Sequence, residues 1–296
     1  MIEGILCVDK PPGPTSHDVV SRIRRLAGTR KVGHGGTLDP LASGLLVLAI
    51  GRATRLLEYV LGQPKEYQAL VRLGYTSNTY DGEGELVDSG TVDVTESQLA
   101  TALARFRGDI RQTPPMYSAI KQQGKPLYEL ARQGIAVERE ARRVTIYELE
   151  LLSFEKPDIT LRVRCSSGTY IRSLAHDLGQ ELGCGAYLAG LRRTGVGLLS
   201  LQEAAPLQNL TADTLADHVQ AMDKVVAHMP RLNLSRDEAV NLSHGQRVDV
   251  ADGELDGELL RAYDDRGEFV GIVSRDQDKW RAKKIFYESA GGRHDA

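Results

Sequence analysis

The chain has 296 residues, enough for one large domain and a smaller one. Its composition, 41% hydrophobic and 26% charged, is that of an ordinary globular protein, and no apolar run reaches the length of a membrane span. A net charge of −3 argues mildly against a nucleic-acid partner, and three cysteines without metal-ligand spacing exclude a cysteine-built metal centre.

Gly4 to Val8 reads as a first strand with no signal-peptide pattern before it, followed by turn chemistry in Asp9-Lys10-Pro11-Pro12-Gly13-Pro14. Thr15 or Ser16 then caps a helix whose apolar positions Val19, Val20, Ile23 and Leu26 share one face, and Gly28 stops it. Residues 1–60 hold eight Lys or Arg against five acids, with Arg22, Arg24, Arg25, Arg30 and Lys31 clustered on and beyond that helix. Such a cluster suits phosphate contact, and equally a solvated helix face.

The next stretch, Val32 to Gly44, packs four glycines into thirteen residues around one carboxylate, Asp39. Pro40 disfavours helical geometry at Asp39 and stiffens the chain after it. Leu45 to Ile50 follows as a buried strand. From spacing alone, Asp39 is as readily a turn residue capping its own backbone as a functional acid.

A helix is predicted from about Ala53 to Leu61, then a strand of alternating character from Tyr67 to Gly74. Taken alone, Tyr67 reads as a partly buried strand residue. Tyr75 to Gly84 is a polar loop, and Thr95 with Gln98 forms a capping box opening a helix to about Phe106. Residues 109–119 are extended and stiffened by Pro114 and Pro115, and Leu127 to Arg132 is a short helix closed by Gly134. Arg143 to Phe154 and Ile159 to Cys165 read as antiparallel partners across a Glu155-to-Asp158 turn. Gly168 allows a tight turn into a helix running to about Leu182, which carries Arg172 near its start and His176 beyond it as a structural or exposed residue. Residues 209–229 are expected to form one more helix. From about Arg231 the composition shifts to short strand-like runs at 258–263, 268–274 and 280–287, and residues 249–268 hold eight acids against two arginines. There are no internal repeats or low-complexity tracts.

Gly33-His34-Gly35-Gly36-Thr37-Leu38-Asp39-Pro40-Leu41-Ala42-Ser43-Gly44 resembles the catalytic-loop signature of the TruB family of pseudouridine synthases. Tyr67, the segment Ser166 to Arg172 and Leu191-Arg192-Arg193 resemble further family motifs in the family's order, and Lys10-Pro11 resembles a largely structural one near the start. The likeness is strong over roughly the first three-quarters of the chain.

The resemblance implies an α/β (α+β) catalytic domain on a mixed, largely antiparallel sheet over residues 1–230. It implies a small C-terminal β-barrel-like, PUA-like RNA-binding domain over 231–290, followed by a flexible tail at 291–296. The implied activity is isomerisation of a tRNA uridine to pseudouridine at the T-loop position conventionally numbered 55, with the base flipped out of the RNA. Asp39 would be the nucleophile, attacking either the base C6 or the ribose C1′. Arg172 would pair with it and keep it ionised. Tyr67 would offer a stacking face, worth about 1–3 kcal/mol, or a hydroxyl for proton transfer.

Tyr170 would pack beside the target base, Leu191 would wedge against the uracil pocket, and the arginines next to it would meet phosphate. His34 would intrude where the base was. Arg55 stands where the family usually shows Lys, so no specific contact follows for it. No cofactor and no metal are implied. The partner is the T-arm of tRNA, with no membrane, no obligatory protein partner, a monomeric state and a reduced, cytoplasmic setting. The competing readings are an RNA-binding or RNA-folding module, a relative working inside a guide-RNA complex, and a pseudo-enzyme. Against the last stands the joint presence of Asp39, Tyr67 and Arg172.

Overall fold

The computed structural model describes residues 2–118, 120–122, 124–135, 137–249 and 258–287. Strand β1 (Gly4–Lys10) is followed by α1 (Ser16–Ala27), which starts where Thr15 and Asp18 cap each other and stops at Gly28, with a left-handed φ of 61°. Strands β2 (Val32–His34) and β3 (Ser43–Ile50) enclose the glycine-rich loop. In β3, Leu46, Leu48 and Ile50 face one hydrophobic core and Leu45, Val47 and Ala49 another. Burial on both faces is why this strand is apolar without alternation.

A 3-10 turn (Gly51–Leu56) runs into α2 (Leu57–Leu61), and β4 (Lys65–Leu73) then alternates as expected. Its Tyr67, Ala69, Val71 and Leu73 are buried, whereas Gln68 and Leu70 face solvent. The expected polar loop after it is organised as a hairpin of β5 (Tyr75–Ser77) and β6 (Leu86–Asp88). There follow α3 (Glu96–Arg105), β7 (Gly108–Gln112), β8 (Lys121–Gln122), β9 (Lys125–Pro126) and α4 (Leu127–Arg132). After these come β10 (Arg142–Glu155), β11 (Asp158–Cys165), α5 (Ile171–Leu182) and β12 (Ala186–Val196). The short strands β13 (Leu199–Ser200), β14 (Ala205–Pro206) and β15 (Val219–Gln220) complete this part.

The large sheet has the order β14-β1-β3-β12-β4-β11-β10-β7. It is mixed and mostly antiparallel, with parallel pairing only of β3 to β12 and β1 to β14 along this path. Helices α1, α3 and α5 cover one face through Val19, Ile23, Leu99, Leu103, Leu174 and Leu178.

The helix expected over 209–229 does not form. The segment is a 3-10 turn at Leu215–His218, strand β15, and a second 3-10 turn at Met222–Val226. The cause is the open edge of β1, whose Ile5 and Leu6 pair with Gln220 and Val219 and draw the chain into extended form.

The C-terminal part is a five-stranded sheet curled as a half-barrel. Its elements are β16 (Arg231–Asn233), α6 (Arg236–Ser243), β17 (Val248–Asp249), β18 (Leu259–Tyr263), β19 (Phe269–Asp276) and β20 (Lys279–Ile285). Its own core gathers Leu242, Leu260, Val270 and Trp280. Ile272 and Phe286 instead join Ile5 and Val47 of the large sheet and Leu56 of the 3-10 turn. Arg55, unassigned by sequence, donates to the Ile285 carbonyl at 2.8 Å and lies 5.0 Å from the Phe286 ring centre. Arg52 donates to the Phe286 carbonyl at 3.2 Å, and Lys284 pairs with Glu58 at 2.7 Å. The expected tail at 291–296, with part of the acidic run before it, lies outside the described residues.

Candidate active site

The loop between β2 and β3 is held by groups beneath it, which leaves its carboxylate outward. Lys10 is fully buried, and its ammonium donates to the carbonyls of Pro11, Pro14 and Pro40 at 3.0, 2.9 and 3.4 Å. Ser16 Oγ accepts from the Leu38 amide at 2.8 Å and donates to the Leu38 carbonyl at 3.0 Å. Arg193, only 2% exposed, donates to the carbonyls of Gly36, Thr37 and Leu45 at 3.0, 3.3 and 2.8 Å. Sequence reasoning expected the arginines of this motif to meet phosphate. For Arg193 that is wrong, because the guanidinium is buried and committed to three backbone oxygens. Arg192 pairs with Asp9 at 2.7 Å. Gly44 has a φ of 97°, and a Cβ there would sit 2.3 Å from the Arg193 carbonyl, so only glycine lets the loop's exit lie against β12.

Between these anchors Asp39 is 42% exposed, and its Oδ2 lies 3.0 Å from Nη2 of Arg172. Arg172 enters from α5 and is 8% exposed. No side chain caps the start of α5; instead Gln112 clamps Tyr170, donating to its carbonyl at 3.0 Å and accepting from its amide at 2.8 Å. That clamp fixes the helix entry two residues before Arg172. The guanidinium also reaches the Tyr117 carbonyl at 2.9 Å, the Thr79 carbonyl at 3.4 Å and the Asp81 carboxylate at 3.4 Å. Asp81 is buried and accepts from Thr79 Oγ1 at 2.5 Å and from the Glu83 amide at 3.1 Å. One buried cation thus joins a buried carboxylate to an exposed one. Sequence reasoning did not single out Asp81, which stands in a polar stretch where acids are common.

Tyr67 is buried on β4 beside this loop. Register places Tyr67 opposite Arg193, and Arg193 next to Gly44, so the three lie abreast on β4, β12 and β3. Burial pushes the Tyr67 hydroxyl above its ordinary pKa, the neighbouring Arg193 works against that, and the charge of Asp39 adds to it. Burial also lowers the Lys10 ammonium, opposed by the Asp39 charge. Glu83, exposed at the mouth, is raised by partial burial and by the charges of Asp81 and Asp39.

Of the other residues expected here, His34 is half-buried on β2, accepts from the Gly36 amide at 3.4 Å, and is held below its ordinary pKa mainly by burial. Leu191 is two residues before Arg193 on β12 and packs on the core containing Tyr67. Tyr170 is half-buried at the start of α5. Among the described residues none of these three hydrogen-bonds to Asp39. Also among the described residues, no three His, Cys, Asp or Glu side chains are grouped to hold a metal ion, and no helix is long and apolar enough to cross a membrane. Cys7, Cys165 and Cys184 are buried free thiols.

Residues 24–171 match the N-terminal domain of the TruB family pseudouridylate synthases. Residues 172–232 match the tRNA pseudouridylate synthase B C-terminal domain, and 230–279 match the C-terminal domain of pseudouridine synthase II TruB. The chain belongs to the TruB family. It is therefore an enzyme that isomerises uridine to pseudouridine. TruB-family relatives include the tRNA pseudouridine synthase B of Pseudomonas aeruginosa strain UCBPP-PA14, 47% identical over 92% of this chain and 91% of that protein. The tRNA pseudouridine synthase B of Azoarcus sp. strain BH72 is 44% identical over 98% of this chain and 97% of its own. Among solved structures, a chain of a Cbf5-Nop10-Gar1 complex superposes with a TM-score of 0.75 at 30% identity, over 96% of this chain and 84% of that one. A chain of an H/ACA RNP bound to a substrate RNA containing 2'-deoxyuridine gives 0.74 at 28% identity, over 96% and 85%.

Proposed function

We propose that this TruB-family enzyme acts on tRNA, converting the T-loop uridine at position 55, with Asp39 as its nucleophile. The observation that carries this reading is the ion pair of Asp39 with Arg172. The loop's backbone is tied down by buried cations, while its one carboxylate faces solvent against a buried guanidinium. A turn residue needs no such partner. A nucleophile does, because the cation favours its ionised form and fixes its direction. The names of the relatives, tRNA pseudouridine synthase B, support tRNA as the substrate.

The reaction is an isomerisation. The C1′–N1 bond breaks, a C1′–C5 bond forms, and the C5 proton leaves as N1 gains one. Nothing is oxidised or reduced and no group is imported, so the chemistry calls for no cofactor. The uridine leaves the RNA stack to be reached. Asp39 attacks at C6 of the base or C1′ of the ribose. Tyr67 supplies a stacking face and a hydroxyl near the proton transfers. Tyr170 and Leu191 border the uracil, and His34 enters the space the base leaves.

Residues 1–230 act as the catalytic domain and 231–290 as a PUA-like module gripping the RNA, in a monomer that works in the cytoplasm. The test is to incubate the protein with an unmodified T-arm stem-loop and map pseudouridine by chemical labelling. Label at the uridine of position 55 alone is expected; label elsewhere, or none, contradicts the assignment.

A further inference from the structure

Tyr80 stands between the two residues through which the 77–83 loop holds Arg172. Thr79 offers its carbonyl and Asp81 its carboxylate, each at 3.4 Å. The φ of Tyr80 is 66°, a left-handed conformation that a tyrosine keeps only where its surroundings hold it. Two backbone bonds fix the chain path there: the Tyr80 amide donates to the Ser77 carbonyl at 3.1 Å, and its carbonyl accepts from the Leu188 amide at 3.0 Å. The side chain is fixed differently. Its ring stacks on that of His176, with centroids 3.9 Å apart and planes 13° from parallel. His176 follows Arg172 by one turn on α5, so the two side chains leave the same helix face. Nδ1 of His176 is buried with no hydrogen-bond partner among the described residues. The ring therefore acts through its face.

We propose that the Tyr80–His176 stack is a positioning device that ties the Thr79–Asp81 turn to α5 and thereby aims Arg172 at Asp39. The inference rests on the reading of Asp39 as nucleophile. Apart from Asp39, three oxygens orient Arg172 among the described residues, and two of them, on Thr79 and Asp81, belong to the turn that the stack secures. Without the stack the strained Tyr80 is held by its two backbone bonds alone and departs from this φ more readily. The Thr79 carbonyl and the Asp81 carboxylate then hold Arg172 less firmly, and of the three oxygens only that of Tyr117 is unaffected. Among the described residues neither ring hydrogen-bonds to Asp39, and the proposal makes both positioning residues.

The test compares variants that remove the flat ring with variants that keep it, in the full-length protein with tRNA, following single-turnover rate, tRNA Kd and Tm. His176→Gln keeps reach and polarity without an aromatic face, and should slow the single-turnover rate about tenfold while Kd stays within about twofold. His176→Phe should restore most of the rate. Tyr80→Leu and Tyr80→Phe form a second, independent pair, which decides by the same criterion should His176→Gln not fold. A ring-free variant at the wild-type rate overturns the proposal, as does a phenylalanine variant as slow as its ring-free counterpart. Asp39→Asn in the same assay separates the two claims. If it turns over normally, the nucleophile reading fails; if it is inactive while His176→Gln is normal, only the stack proposal fails.

Discussion

Arg172 is the residue on which the site's electrostatics turn, since it is a buried cation shared by Asp39 and Asp81. Removing it leaves Asp81 buried with its negative charge uncompensated, a loss of about 3–5 kcal/mol for a pair of this kind. Arg172→Ala should therefore lower both Tm and turnover. Arg172→Lys should recover much of the Tm but little of the turnover, because one ammonium cannot meet the oxygens that a planar fork reaches. Equal recovery of both would assign Arg172 to stability alone. Asp39, Tyr67 and Arg172 stood out in the sequence through the family resemblance and not through spacing, which left Asp39 as readily a turn residue; the structure brings Asp39 and Arg172 into contact. Asp81 did not stand out, because a lone acid in a polar loop has no pattern until the fold buries it. Arg193 was misread for the converse reason: an exposed phosphate ligand and a buried loop clamp look alike in a string of letters.

The element that delivers Arg172 carries a second charge with a price in stability. Asp177, on α5, is partly buried, and burial raises its carboxyl from 3.8 to about 6. A carboxyl raised in the folded state is neutral in both states well below pH 4; between about pH 4 and 6 the unfolded form ionises while the native form keeps its proton, so stability falls across that window and the loss is complete above 6. Asp177→Asn should therefore raise stability at pH 7.5 by about 1–2 kcal/mol after solvent screening, with the gain shrinking below pH 6 and gone by about pH 3. An equal gain at both pH values would contradict this. Helix ends were legible where caps were strong, as at Thr15 with Asp18 and Thr95 with Gln98. The same signature, Ser235 with Glu238, opens α6, which the sequence reading passed over among strand-like runs. The helix expected over 209–229 failed for a reason invisible locally, since the open edge of β1 claims Val219 and Gln220.

At the scale of the molecule, the half-barrel is fastened to the large sheet by Phe286, Arg52, Arg55 and Lys284. None of these cross-sheet contacts could be read from the sequence, because they join segments more than two hundred residues apart. The composition shift near Arg231 was legible, and the second sheet begins there. The basic cluster is divided by its contacts. Arg24 donates to the Val32 carbonyl at 3.0 Å and Arg22 to that of Leu210 at 3.4 Å, whereas Arg25, Arg30 and Lys31 are exposed. If the exposed three meet tRNA phosphates, replacing Arg25 and Lys31 with Ala should flatten the plot of log affinity against log salt by about 0.7–0.9 per lost contact. An unchanged slope would show that they form only a solvated face.

The most direct measurement is tritium release from C5-labelled uridine in tRNA by Asp39→Asn, with filter binding alongside. The amide is nearly isosteric and serves a turn almost as well as the acid, but it cannot attack as a carboxylate does. Release should vanish while binding persists, because phosphate and shape contacts are untouched. Release at the wild-type rate would contradict Asp39 as the nucleophile.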